Sequence, residues 1–288
     1  MMKLEPELID MNDYEESGDG FCAISYNHRN GKTMIKLYND FVDRSVSDDE
    51  IRESQAVLDM GITTPRPIRM VTDGKHFGNE YERILNKRSF ARAISQEPDK
   101  VEYYAVEFAK MCKQLHSTPC DKDIFPSAAD YARKNIKENT YLTDERKKKV
   151  LDFIDRVPET ETCVHGDLHI GNIITDGKKN YWIDLSEFSY GNPLFDLGMW
   201  YIVSNANPDD ITMKLYHVNN ATMANVWKLF VREYFGAISS DEIEEINKRL
   251  VPYAIMRMIF FINQTKQVFP PVRQFIEENF HYFIDNKM

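Results

Sequence analysis

Strand-like runs dominate the first part of the chain, and helical periodicity dominates the rest. Phe21–Tyr26 and Thr33–Tyr38 are predicted strands, and Asn30-Gly31 in the loop between them is the turn signal of a hairpin. Ile68–Val71 and Tyr81–Leu85 are further strand-like runs. These elements predict a small sheet near the N-terminus.

One helix is predicted within this strand-rich part. Ser47 is a good N-cap and Glu50 falls three residues later, which is the spacing of a capping box. Gly61 suits the C-terminal end of the same helix, because glycine readily takes the left-handed conformation found there.

The remainder of the chain has the spacing of amphipathic helices. Predicted helices cover Val101–His116, Asp144–Arg156, Met223–Phe235, Ser239–Val251, Tyr253–Gln267 and Pro271–Asp285. Strands followed by helices indicate an α+β protein with a small domain at 1–84 and a larger, mostly helical domain at 85–288.

A second hairpin is predicted in the middle of the helical part. Ile173–Thr175 and Tyr181–Ile183 are short strand-like runs, and Asp176-Gly177 between them is a strong turn signal. If the turn is centred near Lys178, Asn172 lies roughly opposite Asp184. Asp167 then sits in the loop before the first strand, so we expect all three side chains at one end of the hairpin.

These three side chains suit phosphoryl transfer. Carboxylate and amide oxygens such as those of Asp184 and Asn172 are the hard ligands that Mg²⁺ prefers. A further carboxylate, Asp167, can accept the proton of an attacking hydroxyl. Asp and Asn often cap turns, but three of them at this spacing after His-Gly favour a catalytic arrangement.

Charge and cysteine content narrow the class of partner and the compartment. The 288 residues carry a formal net charge of −10, which disfavours binding to nucleic acid or to an anionic membrane. The four cysteines have no metal-ligand spacing and are expected to be reduced thiols. The start of the chain lacks an apolar signal region, and the apolar run near Ile255–Ile262 is too short to cross a bilayer, so we expect a cytoplasmic protein.

The motif around Asp167 resembles that of a known family. His165-Gly166-Asp167, then Asn172, then Ile183-Asp184, is similar to the HGDxxxxN…ID pattern of the aminoglycoside phosphotransferase and choline kinase-like family. The stretch Gly191–Gly198 resembles that family's GDPxxDLA segment. The resemblance implies a bilobal protein-kinase-like fold, with a small antiparallel-sheet lobe before a larger helical lobe.

The resemblance also implies a role for each matching residue. Asp167 would be the catalytic base, and Asn172 and Asp184 would hold Mg²⁺. His165 would orient the catalytic loop and Asp196 would brace it. The chain departs from the family pattern at Leu185-Ser186 and at Asn192, positions that supply no group the chemistry needs.

The nucleotide site is expected in the first lobe. In the kinase-like fold a strand lysine reaches the nucleotide phosphates and pairs with a helix glutamate. Lys36 is the candidate lysine and Glu53 its candidate partner, with Glu50 as the alternative. Gly18 and Gly20, before the first strand, would cover the phosphates with backbone N–H groups, and the segment 82–85 would meet the adenine edge.

The predicted function is ATP-dependent phosphorylation of a hydroxyl on a small molecule, with GTP an open alternative. Aminoglycoside-, choline- or amino-alcohol-like acceptors are the candidates. A non-catalytic nucleotide-binding module is the second hypothesis. A protein kinase is the third, disfavoured because His169 stands where protein kinases usually carry lysine and because the Ala-Pro-Glu segment is missing. The sequence leaves open whether the protein is a monomer or a dimer.

Overall fold

The computed structural model describes residues 5–19, 22–237 and 239–285. The chain forms two compact units that interleave along the sequence. The first contains the chain up to Arg88 together with Ile173–Ser186, and the second contains Ser89–Asn172 together with the chain from Glu187 onward. The predicted division of the chain at residue 84 into two domains with different roles stays a prediction.

The strands are concentrated in the first unit. Its main sheet has the order β1-β5-β6-β4-β3-β2, in which only the β1–β5 pair is parallel. The strands are β1 (Glu7–Leu8), β2 (Tyr14–Asp19), β3 (Ala23–His28), β4 (Thr33–Tyr38), β5 (Pro67–Thr72), β6 (Phe77–Glu82), β7 (Arg88–Ser89), β8 (Cys163–Val164), β9 (Ile173–Thr175), β10 (Asn180–Trp182) and β11 (Ser189–Tyr190).

The helices lie mainly in the second unit, which agrees with the predicted α+β class. They are α1 (Arg44–Asp59), α2 (Phe90–Gln96), α3 (Val101–Ser117), α4 (Ala128–Glu138), α5 (Asp144–Ile154), α6 (Leu194–Asn205), α7 (Asp209–Tyr216), α8 (Asn220–Phe235), α9 (Ser240–Thr265), α10 (Pro270–Asn279) and α11 (Tyr282–Asp285). Within the described parts of the chain, no helix is long and apolar enough to cross a membrane.

Both predicted hairpins are present. In the first, β3 pairs with β4 so that Ser25 faces Lys36, and Gly31 in the turn has a φ of 77°. In the second, β9 pairs with β10 so that Ile173 faces Trp182, and Gly177 has a φ of 87°. Short-range turn signals therefore predicted both features.

The start of α1 differs from the prediction. The N-cap is Asp43, whose carboxylate accepts a hydrogen bond from the backbone N–H of Ser45. Ser47 is fully buried inside the helix, and its hydroxyl donates to Asn79 at 3.0 Å. The predicted capping box at Ser47 and Glu50 is wrong because a tertiary contact with β6 takes the Ser47 hydroxyl.

Helix α9 is one continuous helix, although two were predicted on either side of Pro252. Pro252 lies inside it, and Ser239 and Glu242 form a capping box at its start. Gly198 of α6 allows close approach, since a Cβ there would lie 2.5 Å from the Cβ of Tyr253. Helices α6 and α9 therefore pack backbone to backbone in the core of the second unit.

Candidate active site

A large cavity lies within the first unit, beside β3, β4 and the β9–β10 hairpin. Its empty volume, including the space at its open mouth, is about 1350 Å³. Its lining combines apolar side chains with a few charged ones. The residues used below are Gly18, Lys36, Glu50, Glu82, Ile84, Lys87 and Asp184.

About 480 Å³ of this space is accessible to a ligand, which is within the usual range for small-molecule sites, so the cavity has room for a nucleotide. We call it the nucleotide cavity.

Lys36 of β4 is paired with a glutamate on α1. Its ammonium donates to both carboxylate oxygens of Glu50, at 3.1 and 2.9 Å. The hydroxyl groups of Tyr81, at 2.8 Å, and of Tyr38 donate to the same carboxylate. Burial opposes the charge on Lys36, but Glu50 and then Asp184 outweigh it and raise the pKa of the ammonium. Lys36 therefore stays a cation facing the cavity.

The prediction that Glu53 would pair with Lys36 is wrong. Glu50, the stated alternative, makes the pair, because α1 begins at Arg44 and Glu50 is not needed as a capping residue. Burial, and then the charges of Asp49 and Glu50, raise the pKa of Glu53 to about 7. The Glu53 carboxylate therefore lies near those of Asp49 and Glu50, about one turn further along α1 than Glu50.

Asp184 follows the β9–β10 hairpin and belongs to the nucleotide cavity. Its φ of 57° is in the left-handed region, which is uncommon for a residue with a side chain and is typical of functional turns. Its carboxylate is exposed, and its charge acts on both Lys36 and Lys87. Burial lowers the pKa of Lys87, a cavity lysine that the sequence motifs did not single out.

The remaining predictions for the nucleotide site concern Gly18, Gly20 and the segment 82–85. Gly18 lies in β2 and lines the cavity, whereas Gly20 lies outside the described residues. Glu82 and Ile84, from the segment predicted to meet the adenine edge, also line it. Their roles toward a nucleotide stay predictions.

The second unit holds the loop that contains Asp167. Its carboxylate accepts hydrogen bonds from the Asn172 amide at 3.0 Å and from the Arg257 guanidinium at 3.1 Å. His169 Nε2 lies 3.5 Å from the same carboxylate. Burial alone would raise the pKa of Asp167. The hydrogen bond and charge of His169, and then the charge of Arg257, reverse this effect and hold the pKa well below its usual range.

A buried aspartate holds this loop in place. Asp196 of α6 accepts hydrogen bonds from the backbone N–H groups of His165 and Gly166, each at 2.7 Å. His116 at the end of α3 approaches Asp196 Oδ2 at 2.9 Å through its Nε2. Asp196 is fully buried, and a carboxylate bonded in this way fixes the backbone just before Asp167.

Gly166 is required by the path of this loop. Its φ is 85°, and a Cβ at this position would lie 2.3 Å from the carbonyl oxygen of Glu187. The His165 ring accepts a hydrogen bond from the Asp167 backbone N–H at 3.3 Å. The His165-Gly166-Asp167 sequence therefore allows the backbone path of this loop and also supplies the carboxylate of Asp167.

Arg257 and Glu187 are site residues that sequence reasoning missed. Arg257 of α9 pairs through Nη1 with Glu187 Oε2, and its Nη2 lies 3.4 Å from Glu187 Oε1. Burial opposes the charge of Arg257, but Glu187 and Asp167 raise the pKa of its guanidinium. The only sequence signal was an arginine interrupting an otherwise apolar helical run.

The oxygen donors predicted to hold the metal have the chemistry that Mg²⁺ prefers. Within the described ranges, no group of three or more His, Cys, Asp or Glu side chains could hold a metal ion. The amide nitrogen of Asn172 donates hydrogen bonds to Asp167. The amide oxygen of Asn172 is therefore the atom of this side chain that can act as a metal ligand. One carboxylate and one amide oxygen are a common protein contribution to Mg²⁺, with phosphate and water supplying the other ligands.

Together, the fold and these groups define a small-molecule phosphotransferase of the kinase-like type. The family model described as the phosphotransferase enzyme family matches residues 27–223. This match covers more than half of the chain, so the chain belongs to that family. A search of the curated proteins by sequence finds no match.

Solved structures of similar fold are small-molecule kinases. A thermostable mutant of aminoglycoside phosphotransferase APH(4)-Ia with AMP-PNP and hygromycin B is 14% identical, with a TM-score of 0.64 and coverage of 94% of this chain and 93% of that one. Choline kinase LicA from Streptococcus pneumoniae is 14% identical, with a TM-score of 0.52 and coverage of 97% and 95%. At such identities the likeness shows the fold, and the predicted kinase-like fold is confirmed.

Proposed function

We propose that the protein transfers the γ-phosphoryl group of ATP to a hydroxyl of a small molecule. The observation that carries this proposal is the setting of Asp167, a carboxylate held by Asn172 and Arg257 on a loop braced by Asp196. The nucleotide cavity with its Lys36–Glu50 pair supports it independently. ATP is the proposed donor and GTP remains the alternative.

Each of the chain's own groups has a defined task in this reaction. Lys36 binds the nucleotide phosphates as a cation, and Glu50 keeps its ammonium in place. Bound Mg²⁺, held by Asn172 and Asp184, would neutralise charge on the phosphates. Asp167 orients the acceptor hydroxyl and takes its proton.

The transfer forms one bond to the γ-phosphorus and breaks one. The acceptor oxygen forms a bond to the γ-phosphorus while the bond from that phosphorus to the β-phosphate oxygen breaks, and ADP leaves with the electron pair. The hydroxyl proton goes to Asp167. Because the pKa of Asp167 is low, the carboxylate is ionised before the reaction and is suited to accept the proton late, as the new bond forms.

A coupled assay of ADP release tests this function. With Mg-ATP, we expect at least one class of hydroxyl compound, among aminoglycosides, choline, amino alcohols, sugars and simple alcohols, to accelerate ADP release and to yield a phosphorylated product. Removal of Mg²⁺ by a chelator should stop the reaction, and added Mg²⁺ should restore it. ATP binding without ADP release across the whole panel would contradict the proposal.

The Lys36–Glu50 pair gives a specific prediction for nucleotide binding. Glu50→Gln removes the charge that holds Lys36, so the Kd for ATP is expected to rise by about tenfold, equivalent to ~1.4 kcal/mol. Glu53→Gln is the matched control, because Glu53 lies on the same helix and its carboxylate does not hold Lys36. Titration of each variant with a fluorescent ATP analogue measures both constants. Equal weakening by the two substitutions would remove Glu50 from this role.

A further inference from the structure

Two tyrosines belong to the cluster of polar side chains around Glu50 at the nucleotide cavity. The Glu50 carboxylate receives the ammonium of Lys36 on both of its oxygens, at 3.1 and 2.9 Å. The hydroxyl of Tyr81 donates to Oε1 at 2.8 Å, and the hydroxyl of Tyr38 donates to Oε2. Each oxygen of Glu50 therefore has one lysine donor and one tyrosine donor. The pattern that predicted the lysine includes neither tyrosine.

Both tyrosines reach Glu50 from the same face of the sheet as Lys36. Lys36 and Tyr38 are two residues apart on β4, so their side chains lie on one face. Asn79 of β6 is paired with Lys36, which places Asn79 and, two residues later, Tyr81 on that face as well. The strand register therefore brings the ammonium and both hydroxyls to one carboxylate of α1.

The backbone of α1 is fixed on this face independently of Glu50. The Ser47 hydroxyl donates to Asn79 Oδ1 at 3.0 Å, and the Asn79 amide donates to the Ser47 carbonyl at 3.1 Å. Both residues are fully buried. Because Ser47 is three residues before Glu50 on the same helix, the freedom that remains to Glu50 lies mainly in its side-chain torsions. The two tyrosine hydroxyls restrict those torsions.

The cluster is largely shielded from water. The side chains of Lys36 and Glu50 are 27% and 15% exposed, and both tyrosines are buried. Burial of an ion pair costs free energy unless further hydrogen bonds satisfy its charged groups, and here the tyrosines supply them. Burial, and then the charge of Glu50, raise the pKa of Tyr81 well above its usual value. Its hydroxyl therefore stays protonated and remains a donor.

We propose that Tyr38 and Tyr81 are positioning residues for nucleotide binding: their hydroxyls hold the Glu50 carboxylate against Lys36, so that the ammonium is in place before the phosphates arrive. The inference rests on the proposed function, because it takes Lys36 as the group that binds the phosphates. A lysine side chain loses much conformational freedom when it is ordered. Ordering it in the folded protein removes that cost from the binding step.

The first test removes each hydroxyl and keeps each ring. Tyr38→Phe and Tyr81→Phe are each expected to raise the Kd for Mg-ADP about threefold, and the two together about tenfold, because the hydroxyls serve different oxygens of Glu50. Tyr14→Phe is the matched control, since Tyr14 is a buried tyrosine of the same sheet that packs on the opposite face. Its Kd should equal that of the unmodified protein. Isothermal titration calorimetry measures all of these constants without turnover.

Adenosine separates positioning of Lys36 from distortion of the cavity. It lacks the phosphates that Lys36 is proposed to bind, so its Kd should change by less than about twofold in the double variant Tyr38→Phe/Tyr81→Phe. Competition with a fluorescent ADP analogue measures this constant. A cavity deformed by loss of the hydroxyls would bind adenosine and ADP equally poorly. Equal loss of affinity for the two ligands would therefore overturn the inference, as would unchanged ADP binding in the double variant.

A thermodynamic cycle tests whether the tyrosines act through Lys36. In Lys36→Met protein the ammonium is absent, so the addition of Tyr81→Phe should leave the Kd for ADP within about twofold of that of Lys36→Met alone. Tyr38→Phe in the same background should behave alike. A further loss of about threefold in the absence of the ammonium would mean that the hydroxyl affects the nucleotide by another route, and would exclude the positioning role.

Failure of the inference and failure of the proposed function give different results in these titrations. If Lys36→Met weakens ADP binding and the tyrosine variants do not, the phosphate site stands and only the role of the tyrosines is removed. If Lys36→Met leaves ADP binding unchanged, Lys36 does not bind the phosphates, and that part of the proposed function is removed as well. Circular dichroism reports whether each variant is folded. Should Tyr81→Phe not fold, Tyr38→Phe supports the same comparison of ADP with adenosine.

Discussion

Asp167→Asn is expected to lower kcat by about 10²–10⁴-fold, the usual contribution of a positioned general acid or base. The asparagine keeps the size of the side chain and can still meet Asn172 and Arg257 in part. It loses the negative charge that orients the hydroxyl and the ability to accept its proton. Single-turnover measurement of phosphoryl transfer separates this loss from any change in product release.

Two controls make the Asp167 result specific. The Kd for the nucleotide should change little, because the nucleotide cavity is formed by residues of the first unit. Asp152→Asn, the same chemical change at an exposed position of α5, should leave kcat unchanged. Turnover by Asp167→Asn within a factor of a few of the unmodified protein would exclude Asp167 as the base.

Arg257→Met is expected to lower the free energy of unfolding by about 3–5 kcal/mol, the usual cost of breaking a buried ion pair. The side chains of Arg257 and Glu187 are only 17% and 20% exposed, so little solvent screens them. Removal of the guanidinium leaves two neighbouring carboxylates, Glu187 and Asp167, without their shared cation. Urea denaturation monitored by tryptophan fluorescence measures the change.

A double substitution distinguishes loss of charge compensation from loss of packing. Arg257→Met combined with Glu187→Gln removes one of the uncompensated carboxylates, so part of the stability should return. Arg257→Lys should fall between the unmodified protein and Arg257→Met, because lysine keeps the charge but not the fork that reaches two carboxylates. A loss below about 1 kcal/mol for Arg257→Met would mean that the pair behaves like an exposed one.

The parts of the fold that sequence predicted are those set by short-range chemistry. Asn30-Gly31 and Asp176-Gly177 identified both hairpins, because glycine takes the positive φ that their turns need. The motif from His165 to Asp184 identified the family, because Gly166 and the residues around it must follow one particular backbone path. Such requirements are visible in a single stretch of sequence.

The parts that sequence missed depend on contacts between distant residues. Asp43 and Ser47 are both good N-caps, and the choice between them rests on Asn79 of β6, which takes the Ser47 hydroxyl. The pairing of Lys36 with Glu50 rather than Glu53 is likewise a contact between two separate elements, β4 and α1. Arg257 contacts Asp167 across 90 positions of chain, which no local pattern reveals.

The interleaving of the two units limits how the protein can be divided. The backbone N–H of Trp182 donates to the carbonyl of Thr63 at 2.9 Å, and the buried hydroxyl of Thr64 donates to the Trp182 carbonyl at 3.0 Å. A fragment that stops at residue 88 lacks Trp182 and leaves the Thr64 hydroxyl without this acceptor. Separate expression of the first unit therefore requires that segment 173–186 be joined to it through a new linker.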